Sequence, residues 1–225
     1  MVVALAIVGS SAFAQSKNLA PGFAALSAGS RVAVMPTDIE LFSISAGGVP
    51  EPKADWTEAA SRHFRAALVD KQKQALKLDV VVLDEKDADD FAEINALHGA
   101  IARAISMHHF GPGFLQLPTK DGKLDWSLGE STRAIKKATG ADYALFTWVR
   151  DSYASAERVA TMIALAVLGV GVGGGMQVGY ASLVELETGR VLWFNRLQRG
   201  SGDLREADKA AETIDALLSN FPRSK

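Results

Sequence analysis

From Val159 to Val184 the chain reads VATMIALAVLGVGVGGGMQVGYASLV, with no charged residue. Its first half, to Leu168, is rich in Ala, Leu, Ile and Met and reads as a helix. Five glycines then fall between Gly169 and Gly175. From Gln177 onward the stretch reads as a strand. Apolar surface this continuous must be covered by its own protein, by lipid or by a partner.

The flanks of this stretch are strands. Tyr143 to Val149 (YALFTWV) precedes it, with Arg150 and Asp151 at the strand's edge. Gln177 to Glu187 follows it, Thr188-Gly189 turns, and Val191 to Leu197 (VLWFNRL) returns as a hairpin partner. Asp203 to Asn220 closes the chain as a helix with Ala207, Ala210, Ala211, Ile214, Leu217 and Leu218 inward.

Upstream the same logic alternates strands with helices. Arg31 to Met35 (RVAVM) is a compact apolar run stopped by Pro36, and Ile39 to Ile44 extends it or pairs with it. Ala46 to Pro52 reads as a loop. Asp55 and Glu58 have capping-box spacing, and Trp56, Ala60, Phe64, Ala67 and Leu68 share one helical face. Val80 to Leu83 reads as a second buried strand. A helix from Asp87 or Asp89 carries Phe91, Ile94, Leu97, Ile101 and Ile105, and Gly111-Pro112-Gly113 stops it. Residues 114–126 read as a small hairpin turning at Asp121-Gly122. Ser127 and Glu130 start a short helix that ends at Gly140. The fold class is therefore α/β: a mixed sheet flanked by helices, with an apolar helix–glycine insert between two late strands.

At Gly140-Ala141-Asp142-Tyr143 the chain resembles exported bacterial envelope proteins of the curli-secretion lipoprotein (CsgG) type and the N-terminal domain of TolB. The hairpin Ser182 to Trp193 (SLVELETGRVLW) extends that resemblance, which covers roughly residues 31–220 in element order. It implies this fold and an envelope location. The family's lipid-attachment cysteine has no counterpart, because the chain has no cysteine. The long alternating hairpins of a β-barrel pore are also missing, so the resemblance does not carry a pore.

Bulk numbers narrow the function. The chain has 225 residues, enough for one well-packed domain, and a net charge of −2 supplies no basic field for nucleic acid. Val2 to Val8 is a short apolar run, and Ala12-Phe13-Ala14 has the A-x-A form of an export cleavage site before Gln15. The expected organisation is a signal peptide at 1–14, a flexible lead-in at 15–30, and a single α/β domain at 31–221 with the apolar insert at 157–178.

Several readings are weighed against the residues. Gly169, Gly171 and Gly174 satisfy G-x-G-x-x-G, but a dinucleotide site needs a strand before and a helix after, and here the order is inverted. A helix of about 12 residues rises roughly 18 Å, short of a bilayer core of about 30 Å. His63, His98, His108 and His109 lack metal-helix spacing, and His108-His109 suits the negative end of a helix. The acidic run from Asp84 to Asp90 lacks the glycine and closing glutamate of a calcium loop. Asn195, Arg196 and Arg199 form a weak polar rim at the sheet end.

No catalytic, cofactor-binding or metal-ligating set is read here, and no cofactor is expected. The expected function is that of a non-enzymatic exported envelope protein, periplasmic or membrane-associated. It acts in assembly, or as an accessory of a membrane or secretion complex, through its apolar insert. The alternative is a periplasmic binding module for an apolar ligand or lipid. Candidate interaction residues are Met162, Ile163, Leu165, Val167, Leu168, Val170, Val172 and Met176. The expected partner is a second copy or an envelope protein, with a membrane surface as the further candidate.

Overall fold

The structure is a computed structural model, and it describes residues 16–71 and 78–224. The export signal read at 1–14 lies outside the described residues. In chain order the strands are β1 (Arg31–Val34), β2 (Asp38–Ile44), β3 (Pro50–Pro52), β4 (Asp79–Val82), β5 (Tyr143–Ala154), β6 (Gln177–Glu185) and β7 (Val191–Arg199). The helices are α1 (Ala54–Lys71), α2 (Ala92–His108), α3 (Arg133–Thr139), α4 (Ala156–Val167) and α5 (Ala207–Leu217).

One strand, β5, organises the sheet. Along one edge it pairs antiparallel with β6, from Tyr143 opposite Glu185 to Asp151 opposite Gln177. Its other edge is shared by β1 and β2, both parallel to it. Pro36 has no N–H, and the ladder stops at Val34 opposite Leu145 and resumes at Asp38 opposite Trp148. Between them the hydroxyls of Thr37 and Thr147 lie 2.7 Å apart. Outside this edge β4 runs parallel to β1, and β3 runs antiparallel to β2. On the far side β7 pairs antiparallel with β6, with a bulge at Leu183/Val184. The sheet is mixed and flanked by helices.

Both faces of β5 are covered, which explains its unbroken apolar run. Tyr143, Leu145 and Val149 join one core with Phe64, Leu68, Ile214 and Leu217 of α1 and α5. Ala144 and Phe146 join a second core with Ile94 and Ile105 of α2 and Ile135 of α3. The helix α4 joins neither and has no buried residue.

Several local expectations change. Residues 16–30 are not a flexible lead-in: Ala20 and Leu26 are fully buried. The backbone of this segment bonds along the outer edge of β7, with Ala20 N–H donating to Leu192 and Phe194 N–H donating to Asn18. An edge strand otherwise left open is thereby covered. The 46–52 loop contains β3 and closes a small hairpin on β2. Val80 and its neighbours form an edge strand, half-exposed rather than buried. Helix α1 begins at Ala54, with Lys53 O accepting from Thr57 N–H, so Asp55 lies inside the first turn and does not cap it.

Residues 114–126 do not form a hairpin. The Asp121-Gly122 turn is present, with φ of 48° and 66°, but short 3-10 turns at Gly113–Leu115 and Pro118–Lys120 precede it. Proline and the absence of alternation leave no ladder for its flanks. Ser127 Oγ accepts from Gly129 N–H rather than closing a box with Glu130, which pairs with Arg133. Gly140 ends α3 at φ 68°, as its position after the last helical residue demands.

Candidate functional site

The uncharged stretch forms a helical hairpin at one end of the sheet. Ser155 caps α4 by accepting from Arg158 N–H at 3.1 Å, and Ser155 N–H donates to Ile44 O. Gly169, at φ +78°, ends the helix. The chain then returns through the remaining glycines to β6. Ser152 Oγ accepts from Met176 N–H at 2.9 Å and donates to Met176 O at 3.0 Å, closing the base. A Cβ on Gly175 would stand 2.0 Å from Ser152 O, so only glycine fits there. Arg158 ties the hairpin to the β2–β3 turn, donating to Ala46 O and Gly173 O, each at 3.2 Å.

The candidate interaction residues divide between two environments. Ile163, Val167 and Leu168 are 63%, 83% and 75% exposed, and Val170 and Met176 are exposed beside them. Met162, Leu165 and Val172 are half-buried. The Met162 methyl lies against Gly174, so this side of α4 faces its own glycine strand. Val159, outside the expected set, extends the exposed stripe one turn earlier. The glycine run follows a helix and precedes a strand, the reverse of a dinucleotide turn.

Below the hairpin lies a polar cluster that the sequence reading missed. Asp151, expected at a strand edge, is buried. Its Oδ2 accepts from Tyr153 Oη and, at 2.7 Å, from Gln177 Nε2. Gln177 Oε1 accepts in turn from Arg199 Nε at 2.8 Å, and Arg199 Nη2 donates to Thr213 of α5 at 2.7 Å. Leu204 N–H donates to Tyr153 Oη at 2.8 Å. Burial raises the Asp151 carboxyl above its ordinary value, against the opposing bonds from Tyr153 and Gln177. Burial, with Asp151 beside it, also raises the Tyr153 phenol. The one sequence signal was a carboxylate at the end of an apolar strand, directly before an uncharged stretch.

The remaining polar candidates are structural. Asn195 Nδ2 donates to Ala216 O and Leu217 O at the carboxyl end of α5. Arg196 donates to Ser106 O near the end of α2. His109 is not a solvated cation: it is buried, its Nε2 lies 2.7 Å from Lys17 O, and burial lowers its pKa. His108 Nδ1 lies 2.7 Å from Leu115 O. His98 is buried against Phe146, with Nε2 2.5 Å from Ser182 Oγ, and burial lowers its pKa to about 3. The 84–90 run forms two 3-10 turns leading to α2, with Asp84 held by Arg65 at 2.9 Å. Among the described residues no group of three or more His, Asp or Glu is placed to hold a metal, and no helix is long and apolar enough to cross a membrane.

No protein-family model and no curated protein sequence matches the chain. The chain is similar to several solved structures at low identity. A PelC dodecamer from Paraburkholderia phytofirmans matches at 15% identity over 88% of this chain and 91% of that chain, with a TM-score of 0.40. A lipoprotein from Neisseria meningitidis matches at 11% identity over 85% and 99%, with a TM-score of 0.34. The LpoB C-terminal domain from Salmonella enterica matches at 14% identity over 80% and 87%, with a TM-score of 0.30.

Proposed function

We propose that this chain is an exported envelope protein that works by assembly, not catalysis, and that the exposed stripe of α4 docks against a second copy. One observation carries the reading: the most apolar helix among the described residues has no fully buried residue. A 12-residue helix covered only in part, on the side facing its glycine strand, is marginal in water. A partner supplies the cover that the chain's own cores do not. Its only charges, Glu157 and Arg158, lie in the first turn, and Arg158 is engaged by Ala46 and Gly173. The rest of the face carries nothing that would repel its own copy across a two-fold contact. The export pattern at 1–14 and the resemblance at Gly140–Tyr143 support the envelope location.

The test is light scattering on the protein and on Ile163→Asp and Val167→Asp. The protein is expected to be oligomeric, and each variant is expected to dissociate while unfolding within about 0.5 kcal/mol of the parent, because neither side chain is buried. A parent that stays monomeric at high concentration overturns the reading. Co-flotation of such a monomer with liposomes would point instead to a membrane surface as the cover.

A further inference from the structure

A groove of about 1480 Å³ opens between α1 and α2, sharing no residue with α4. It exists because the sheet edge is split. β4 leaves β1 at Val34, β3 joins β2 only from Phe42, and among the described residues no strand covers the edge between. The groove thus lies beyond the carboxyl ends of two parallel strands, where α/β sheets commonly receive ligands.

Its wall carries an exposed arginine and a groove-facing tyrosine hydroxyl. Tyr180 is 5% exposed and its ring stacks on Trp148, with centroids 5.2 Å apart, yet its Oη makes no hydrogen bond among the described residues. Burial, with Asp38 nearby, pushes the phenol up to about 12, so it stays a donor. Arg103 of α2 makes no hydrogen bond or ion pair among the described residues. The neighbouring arginines are neutralised: Arg62 by Glu58 at 2.5 Å, Arg65 by Asp84 at 2.9 Å, and Arg150 by Asp38 at 2.7 Å. His98 also lines the groove.

Between these groups sits Gly99, inside α2. A Cβ there would stand 3.4 Å from Arg103 Nη1 and 3.9 Å from Tyr180 Oη. Glycine in a helix interior costs about 1 kcal/mol against alanine, and the Tyr180 hydroxyl opens onto the groove. We propose that this corner of the groove is a binding subsite for an oxyanion, a carboxylate or phosphate carried by an organic ligand. Arg103 and Tyr180 Oη hold the anion, and the missing side chain of Gly99 leaves it room.

The test is an amide NMR titration of the full chain with sodium benzoate, with inorganic phosphate, and with sodium chloride as control. Saturable shifts at Gly99, Arg103 and Tyr180 are expected with at least one oxyanion and not with chloride. Benzoate alone assigns a carboxylate, and phosphate alone a phosphate. Arg103→Leu is expected to weaken binding at least tenfold. Gly99→Ala is expected to weaken it while raising the melting temperature, a combination that a structural role does not produce. Absence of saturation with both anions, shifts matched by chloride, or unchanged affinity in Arg103→Leu overturns the proposal.

Discussion

The side-chain amide of Gln177 stands between a carboxylate and a guanidinium: its nitrogen donates to buried Asp151 at 2.7 Å, and its oxygen accepts from Arg199 at 2.8 Å. Asp151 and Gln177 are also the last register pair of the β5–β6 ladder. The two charges fix the amide's orientation, and the amide closes the sheet just before the chain departs into α4. Replacing Gln177 by Leu leaves both charges short of a partner. The expected loss is roughly 2–3 kcal/mol of unfolding free energy, measured by urea denaturation. Gln177→Glu should cost more, because it sets a second carboxylate against Asp151. Equal stability of both variants and the parent would contradict this role.

Two buried titrating groups act on stability with opposite sign. His98 is lowered from 6.5 to about 3 by burial, so between those values the unfolded chain binds more protons. Its contribution is complete above pH 6.5 and is lost as the pH falls toward 3, at up to about 1.4 kcal/mol per pH unit. The Asp151 carboxyl is raised by burial, so its contribution is present below its ordinary value of 3.8 and is lost as the pH rises through its folded value. Urea midpoints across the acid range should flatten in His98→Gln between pH 6.5 and 4, and Asp151→Asn should remove the opposite slope. A His98→Gln profile superimposable on the parent's would exclude the first.

The glycines of the hairpin are not equivalent. Gly175 has φ +151°, and a Cβ there meets Ser152 O at 2.0 Å, whereas Gly171 and Gly173 have open space around them. Gly175→Ala is expected to cost about 1–3 kcal/mol, and Gly171→Ala and Gly173→Ala well under 1 kcal/mol. Thermal melts of the three variants read this directly.

Residues 16–30 contribute to the core. Leu26 is fully buried, and its N–H donates to Arg223 O at 3.0 Å. Leu26→Ala is expected to destabilise by about 2–5 kcal/mol. A neutral result in chemical denaturation would return this segment to the status of a loose lead-in.

The late hairpin was legible because its signals are local: apolar strands around Thr188-Gly189, with Gly189 at φ +71°. The length of α4 was legible for the same reason, since residues 157–168 carry helix formers up to the first glycine. What the sequence hid is set by distant partners. The shared edge of β5 depends on β1 and β2 finding residues more than a hundred positions away. Asp151 looked like an edge residue because nothing local announces that Tyr153, Gln177 and Arg199 gather around it. At 114–126 the turn chemistry was read correctly, but a turn without alternating flanks does not make a hairpin. Arg103, Gly99 and Tyr180 carry no motif, and only the fold brings them together.

The divided edge of β5 also bears on how the chain is made. Arg31 N–H bonds to Asp142 across 111 residues, and β1 and β2 reach β5 only when that strand exists. A polypeptide stalled or cleaved before residue 143 therefore carries two apolar strands whose central partner is missing. Closing so long a loop is slow, and unpaired strands are sticky meanwhile. Until β5 emerges, the edges of β1 and β2 are therefore open to pairing with other chains during synthesis.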